Sequence, residues 1–158
     1  MSPSLVLLLA FLIGVIAGLR SLTAPAVVAG AAHLGRLNLQ GSLFSFMATK
    51  YAAVFFILLA LVEIVNDKLP KTPNRTSPLG LIPRILFGGL AGACLALAGS
   101  QSMALGAILG AVGSVAGAFA GYNARKSLAQ ALKVPDLVIA LVEDAVAFGG
   151  GIFIVTRF

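Results

Sequence analysis

Two glutamates stand inside apolar stretches of this chain, and they constrain its fold more than any other feature. Glu63 follows an apolar run that begins at Tyr51, and Glu143 follows residues 140–142, which repeat the three residues before Glu63. A carboxylate in hydrocarbon is costly, and a membrane helix keeps one only where it faces a partner or a water-filled cavity. We therefore interpret Glu63 and Glu143 as a matched pair at the centre of a small membrane protein.

The solvent around most of the chain must be lipid. Its 158 residues are 59% hydrophobic and 10% charged, whereas a soluble domain carries about 25% charged residues. The length allows one domain, and we expect a single transmembrane domain over residues 1–158. No basic segment precedes the first apolar run, so we expect a retained first helix rather than a cleaved signal peptide.

Five apolar runs predict an all-α transmembrane bundle of about five spans. They cover about residues 5–19, 51–67, 85–98, 103–122 and 135–155, and a span needs about 20 apolar residues. Residues 20–35 hold polar residues and a proline before a further apolar stretch, which predicts a broken or re-entrant helix, with an ordinary loop as the alternative. Backbone freed at such a break must be buried in protein or line a cavity.

Two parts of the chain resemble each other in a way that predicts an inverted-topology repeat. Residues 14–18 match residues 113–117, and each of these glycine-bearing runs is followed by a glutamate-bearing run. The first repeat covers about residues 4–68 and the second about 103–157, with a linking span at about 84–99. Transporters built this way bind their substrates near the bilayer midplane, between the repeats. The alternative is that these short segments, which are built of residues common in membrane helices, match by chance.

The acidic residues and one arginine form the predicted binding set. Glu63 and Asp67 are four residues apart and share a helix face, as Asp136 and Glu143 do at a spacing of seven. Two carboxylates that meet in a low dielectric cannot both ionise freely, so one holds a proton or a cation lies between them. Hard oxygen ligands suit a proton, Na⁺, Mg²⁺, Ca²⁺ or Mn²⁺. The predicted ion-binding residues are Glu63 and Glu143, supported by Asp67 and Asp144, with Arg20 as a neutralising partner.

Internal ion pairs are the competing explanation for these acids. Arg20, Arg84 or Arg125 would then only neutralise them, in a structural or partner-binding membrane subunit. No Ser/His/Asp or Cys/His set is visible in a chain with one histidine and one cysteine, so we expect neither an enzyme nor a cofactor. The sequence does not specify a metal. The sequence therefore supports two hypotheses. The first is a small transporter or channel-like protein for a cation or small solute, and the second is a structural role.

The most polar loop, residues 68–78, is a candidate anion or lipid-headgroup site. Thr72, Asn74, Arg75 and Thr76 supply its hydroxyl, amide and guanidinium groups, and an ordinary solvated loop is the alternative. Basic residues are more numerous in the loops after the second and fourth spans than on the opposite side. Since such loops stay in the cytoplasm, five spans predict a cytoplasmic N-terminus and an external C-terminus.

The lipid bilayer and a second copy of the chain are the expected partners. Five thin spans enclose little interior, so we expect a homodimer, with the glycine face of residues 106–121 or of the first span at a close contact. The net charge of +6 comes without the basic face or aromatic platform of a nucleic-acid-binding protein. No nucleic acid is therefore expected.

Four stretches of the chain resemble a family of small bacterial membrane proteins that is catalogued as domain of unknown function 4126. The most specific is residues 63–76, in which Glu63 and Asp67 lead into a loop rich in lysine, proline and threonine. Residues 18–21, 124–126 and 135–144 fit the same family, so the resemblance covers nearly the whole chain. It implies a multi-pass bacterial inner-membrane protein of this size, and it implies no activity.

Overall fold

Helices make up nearly all of the structure, a computed structural model that describes residues 1–67, 76–132 and 135–158. No β-strand occurs in these ranges, so the all-α prediction is confirmed. A 3₁₀ turn at Ser45–Ala48 precedes the third helix. The six α-helices are α1 (Pro3–Leu19), α2 (Thr23–His33), α3 (Lys50–Asn66), α4 (Pro78–Ala98), α5 (Met103–Leu132) and α6 (Asp136–Val155).

Three stretches within these helices are long and apolar enough to cross a membrane: Pro78–Ala98, Met103–Ala131 and Leu137–Val155. α1 is apolar but has only 17 residues. Helices long and apolar enough to span a membrane are therefore found at three of the five predicted spans, and the crossing of α1 and α3 stays a prediction.

Two helices are longer than the apolar runs that predict them. α4 begins at Pro78 rather than near residue 85, because proline is well tolerated in the first turn of a helix and the Ser77 side chain accepts a hydrogen bond from the Gly80 amide. α5 continues to Leu132 through the segment expected to be a basic connector. Alanine, arginine, lysine, glutamine and leucine in that segment are all good helix formers.

The outer surface of the bundle is strongly apolar. On α3, Ala53, Phe56 and Ala60 are buried at helical spacing, and Glu63 and Asp67 continue the same stripe. Exposed apolar surface of this extent is expected where lipid is the solvent. The outward side of α3 exposes Val54, Phe55, Leu58, Leu61, Val62 and Val65.

Glycines let α5 pack against α1 and α4 at once. A Cβ atom added at Gly14 of α1 would clash with the carbonyl group of Gly110, and one added at Gly92 of α4 would clash with the carbonyl oxygen of Gly106. Small residues allow this close approach of backbones, which stabilises helix packing in lipid. The glycine faces predicted to contact a second copy are therefore occupied within one chain, and a homodimer through them is not supported.

The contacts of α1 with α5 also bear on the predicted repeat. Gly14 lies beside Gly110, and Gly18 lies beside Ser114, so residue numbers increase in the same direction along both helices. An inverted repeat requires its matched helices to run in opposite directions. The parallel course of α1 and α5 does not fit that requirement, and the inverted repeat is not confirmed.

α2 folds back along α1 instead of continuing it. α6 runs antiparallel to α1, because Asp144 contacts Arg20 and Gly150 lies near Ile16, and it runs parallel to α2, since Gly151 lies near Val27. Both termini therefore lie at one end of the bundle, and α3 and α5 end at the other. The prediction of a cytoplasmic N-terminus assumes five membrane crossings. Because α2 runs back along α1, the structure does not support that number.

The turn between α1 and α2 lies inside the bundle rather than at its end. Arg84 of α4 and Asp144 of α6 contact this region, yet α4 begins at Pro78 and α6 at Asp136. At a rise of about 1.5 Å per residue, the two helices extend about 9 Å and about 12 Å beyond the level of the turn. Polar groups at this depth need partners from the protein.

Candidate functional site

Arg20 is the centre of the buried polar cluster. It follows the last residue of α1 in an extended conformation, and its side chain is fully buried, with 0% exposure. Nη1 donates a hydrogen bond to Oδ2 of Asp67, and Nε lies 2.7 Å from Oδ1 of Asp144. One guanidinium thus links α3 with α6, and the two carboxylates supply the pairing that a buried cation needs.

The phase of α6 decides which of its acids reaches Arg20. Ala140 and Ala147 are buried on the inner stripe of the helix, and Asp144 lies between them on the same stripe. Glu143 is one residue away, which turns it by about 100° around the helix. Its Oε2 atom lies 3.7 Å from Nη1 of Arg125 on α5.

Glu63 binds the start of α2 from the neighbouring helix. Oε1 accepts hydrogen bonds from the Ser21 amide at 2.8 Å and the Ser21 hydroxyl at 2.6 Å, and Oε2 accepts one from the Leu22 amide at 2.8 Å. α2 has no side-chain cap of its own, and amides at a helix start lack intrahelical partners. A carboxylate satisfies them and complements the positive end of the helix dipole. Glu63 and Glu143 therefore have different partners.

Arg84 donates hydrogen bonds at the end of α1, as Glu63 accepts them at the start of α2. Its Nε atom donates to the Gly18 carbonyl at 3.1 Å, and Nη1 donates to the Gly80 carbonyl at 2.6 Å. The final carbonyls of a helix have no intrahelical donors, and a cation is favourable at this negative end of the dipole. The buried turn thus has a guanidinium on the end of α1 and a carboxylate on the start of α2.

Nη2 of Arg20 and Oγ1 of Thr23 are buried at the turn without a hydrogen-bond partner among the described residues. Leaving such a group unpaired costs about 1–3 kcal/mol, so a water or a polar solute is expected to bind there. The guanidinium nitrogen can only donate, whereas the hydroxyl can donate or accept. Each of the two atoms can therefore form a hydrogen bond with an oxygen atom of a small ligand.

The predicted site residues fall into three groups. Arg20, Glu63, Asp67 and Asp144 meet at the α1–α2 turn, whereas Glu143 lies with Arg125 in a separate cavity of about 170 Å³. The predicted anion loop lies mostly outside the described residues, and its function stays a prediction. Thr72, Asn74, Arg75 and the side chain of Asp136 lie outside the described part, and Thr76 is half-buried before α4.

Ser21 and Thr23 belong to the observed cluster but not to the predicted site. The signal that points to them is their place between Arg20 and Pro25, where a helix break leaves backbone groups to be satisfied. Across the described residues, no group of three or more His, Cys, Asp or Glu side chains could hold a metal ion. The acids at the turn instead accept hydrogen bonds and ion pairs from the protein.

The comparisons with known proteins describe a family without an assigned activity. A family model described as "Domain of unknown function (DUF4126)" matches residues 7–156. This range contains Arg20 and its partners and nearly all of the six helices. No curated protein and no solved structure matches the chain.

Proposed function

The chain belongs to the DUF4126 family, and we propose from the site itself that it is a small membrane transporter or channel-like protein for a small solute or cation. The observation that carries the proposal is a fully buried arginine held between two aspartates at a turn inside the bundle. Ionisable residues within membrane helices commonly mark solute pathways or proton relays, and interrupted helices form the binding sites of many transporters.

The charges at the centre favour some solutes over others. One guanidinium lies between two carboxylates, Asp67 and Asp144, and buried carboxylates of this kind commonly form part of proton pathways in membrane proteins. The atoms without partners, on Arg20 and Thr23, fit an oxygen of a small polar solute. A divalent metal ion would have to displace donors already bound to the carboxylates. We therefore favour a proton or a small polar solute over a divalent metal.

Flux through proteoliposomes that contain the purified full-length chain tests this proposal. The probes are protons, K⁺, Na⁺ and Mg²⁺, with urea and glycerol as small polar solutes. We expect wild-type protein to raise the flux of one of these probes above that of protein-free vesicles. Asp144→Asn keeps the shape of the side chain and leaves Arg20 paired with Asp67. It should lower that flux about tenfold, the effect of about 1.4 kcal/mol on a barrier.

Glu143→Gln is the comparison variant, because it makes the same chemical change at the neighbouring residue, whose partner is Arg125. We expect its flux to stay close to that of wild-type protein. If Glu143→Gln lowers the flux and Asp144→Asn does not, the pair predicted from the sequence is the functional one and the centre at Arg20 is wrong. A folded wild-type protein that passes none of the probes contradicts transport.

A structural or partner-binding subunit is the second candidate function. The observation that favours it is that Glu63, Asp67, Glu143 and Asp144 all interact with groups of the same chain. Under this hypothesis, wild-type protein passes no probe, and Asp144→Asn changes only the stability. Flux and thermal unfolding measured on the same preparations separate the two functions.

A further inference from the structure

An open apolar groove lies between α2, α3 and α6, apart from the turn at Arg20. Its volume is about 460 Å³, and its walls include Ile57, Phe148 and Ile152. α2 and α6 pack closely at Gly151, where an added Cβ would lie 3.1 Å from a methyl group of Val27. The groove is open at Gly30 of α2, where an added Cβ would meet nothing within 4 Å.

A cation lies at the end of this groove. Arg36 lines it, and its exposed side chain forms neither a hydrogen bond nor an ion pair with any other described residue. Its backbone is fixed by the turn that ends α2. Gly35 has φ +76°, the Gly35 amide donates to the Ala32 carbonyl at 3.1 Å, and the Arg36 amide donates to the Ala31 carbonyl at 2.9 Å. This paired arrangement is the Schellman motif.

We propose that the groove binds one acyl chain of an anionic phospholipid, with the phosphate of that lipid on Arg36. The apolar walls face the lipid-exposed exterior of the bundle and match a hydrocarbon chain. A guanidinium pairs with phosphate through two parallel hydrogen bonds. Arg36 lies at the end of the bundle where α6 ends and both termini are found, so the charged headgroup lies at the membrane surface while the chain extends along α2. This inference does not depend on transport.

Native mass spectrometry of the full-length chain in detergent tests the site. The probes are phosphatidylglycerol and phosphatidylcholine with identical acyl chains. We expect one phosphatidylglycerol per chain to be held about fivefold more tightly than phosphatidylcholine, because the net negative charge adds one favourable interaction with a basic side chain. Gly30→Leu should fill the open end of the groove and weaken binding of both lipids about tenfold. Arg36→Gln should abolish the preference but retain binding of both.

Two matched controls make the result specific. Gly149→Leu adds the same side chain at another glycine with open space around it, on α6 outside the groove lining. Arg157→Gln removes a neighbouring exposed cation, whose guanidinium lies 4.0 Å from the centre of the Phe153 ring. Both controls should bind like wild-type protein.

Three outcomes would overturn the proposal. Undiminished phosphatidylglycerol binding by Gly30→Leu shows that the lipid lies elsewhere. Loss of the preference in Arg157→Gln as complete as in Arg36→Gln shows a general surface charge effect. A chain dimer in the spectra that Gly30→Leu dissociates shows that the groove holds a second copy. Because Arg36 is exposed in a turn, its variant keeps the test valid if Gly30→Leu does not fold.

Discussion

Arg20 lies fully buried between two carboxylates, and its removal should be the most damaging single change at the site. Arg20→Gln leaves Asp67 and Asp144 without their shared cation. Removing one partner of a buried ion pair costs about 3–5 kcal/mol, and we expect the free energy of unfolding to fall by about this amount. Chemical denaturation in detergent micelles, followed by circular dichroism, measures it.

The triple variant Arg20→Gln, Asp67→Asn, Asp144→Asn should recover much of the lost stability, since it removes the unpaired charges together with their partner. Lys126→Gln, which changes an exposed cation near the end of α5, serves as the control and should unfold like wild-type protein. Wild-type stability in Arg20→Gln would contradict the pairing seen in the structure.

Glu63 should affect α2 more than the rest of the molecule. Glu63→Gln removes the charge that strengthens three hydrogen bonds to Ser21 and Leu22. The new side-chain NH₂ group would also face N–H and O–H donors, with which it cannot form a hydrogen bond as a donor. Hydrogen bonds to charged groups contribute about 1.5–3 kcal/mol each. We expect faster amide hydrogen exchange at the start of α2, with little change in α5. Unchanged exchange in α2 would show that Glu63 does not cap this helix.

The sequence indicates which charged residues are buried at the α1–α2 turn better than it indicates which of them contact each other. Arg20, Glu63, Asp67 and Asp144 stand next to or within apolar runs, and a charge there needs a partner in any fold. The similarity of the residues before Glu63 and Glu143 suggests that these two meet. They do not meet, because the partners depend on helix phase and tertiary packing. Asp144, rather than Glu143, lies on the buried stripe of α6, and Glu63 accepts hydrogen bonds from the start of α2.

Helix packing around α5 predicts which glycines tolerate a side chain. Gly110 lies against the backbones of Gly14 and Gly88, which cannot move aside. Gly110→Ala should therefore destabilise the bundle by about 1–3 kcal/mol, the usual effect of overpacking. Gly149→Ala adds its methyl group in open space, so helix propensity alone should make it neutral or stabilising by about 0.5–1 kcal/mol. Thermal unfolding of the two purified variants compares them, and equal effects would contradict the close crossing.

Local sequence is sufficient for most helices but not for the direction of α2. The apolar runs give the approximate extent of α1, α3 and α6, since each run is bounded by polar residues. α2 has only 11 residues, and its composition fits a continuation of α1 as well as a return. Contacts of α6 with Ile16 and Val27 distinguish the two. Such contacts join residues far apart in the chain, and no local pattern encodes them.

At the scale of the whole molecule, α2 determines where the ends of the chain lie. Because it returns along α1, both termini lie at the end of the bundle that carries Arg36, Lys50 and Arg157. The more basic segments are residues 68–75 and 125–133. The first follows α3 in the sequence and the second begins near the end of α5, and both helices end on the opposite side. The preference of basic loops for the cytoplasm therefore predicts that both termini are outside.

Cysteine labelling in sealed vesicles of known orientation tests this arrangement against the five-span one. Cys94 is the single native cysteine and is buried, so Cys94→Ala provides a background for Ser2→Cys, Arg157→Cys and Lys126→Cys. With α2 returning, a membrane-impermeant maleimide should reach positions 2 and 157 from the outside and position 126 only after the vesicles are opened. Five crossings would instead place positions 2 and 126 together and position 157 opposite. That pattern would mean that α2 does not return across the bilayer and that the turn at Arg20 is not a buried centre.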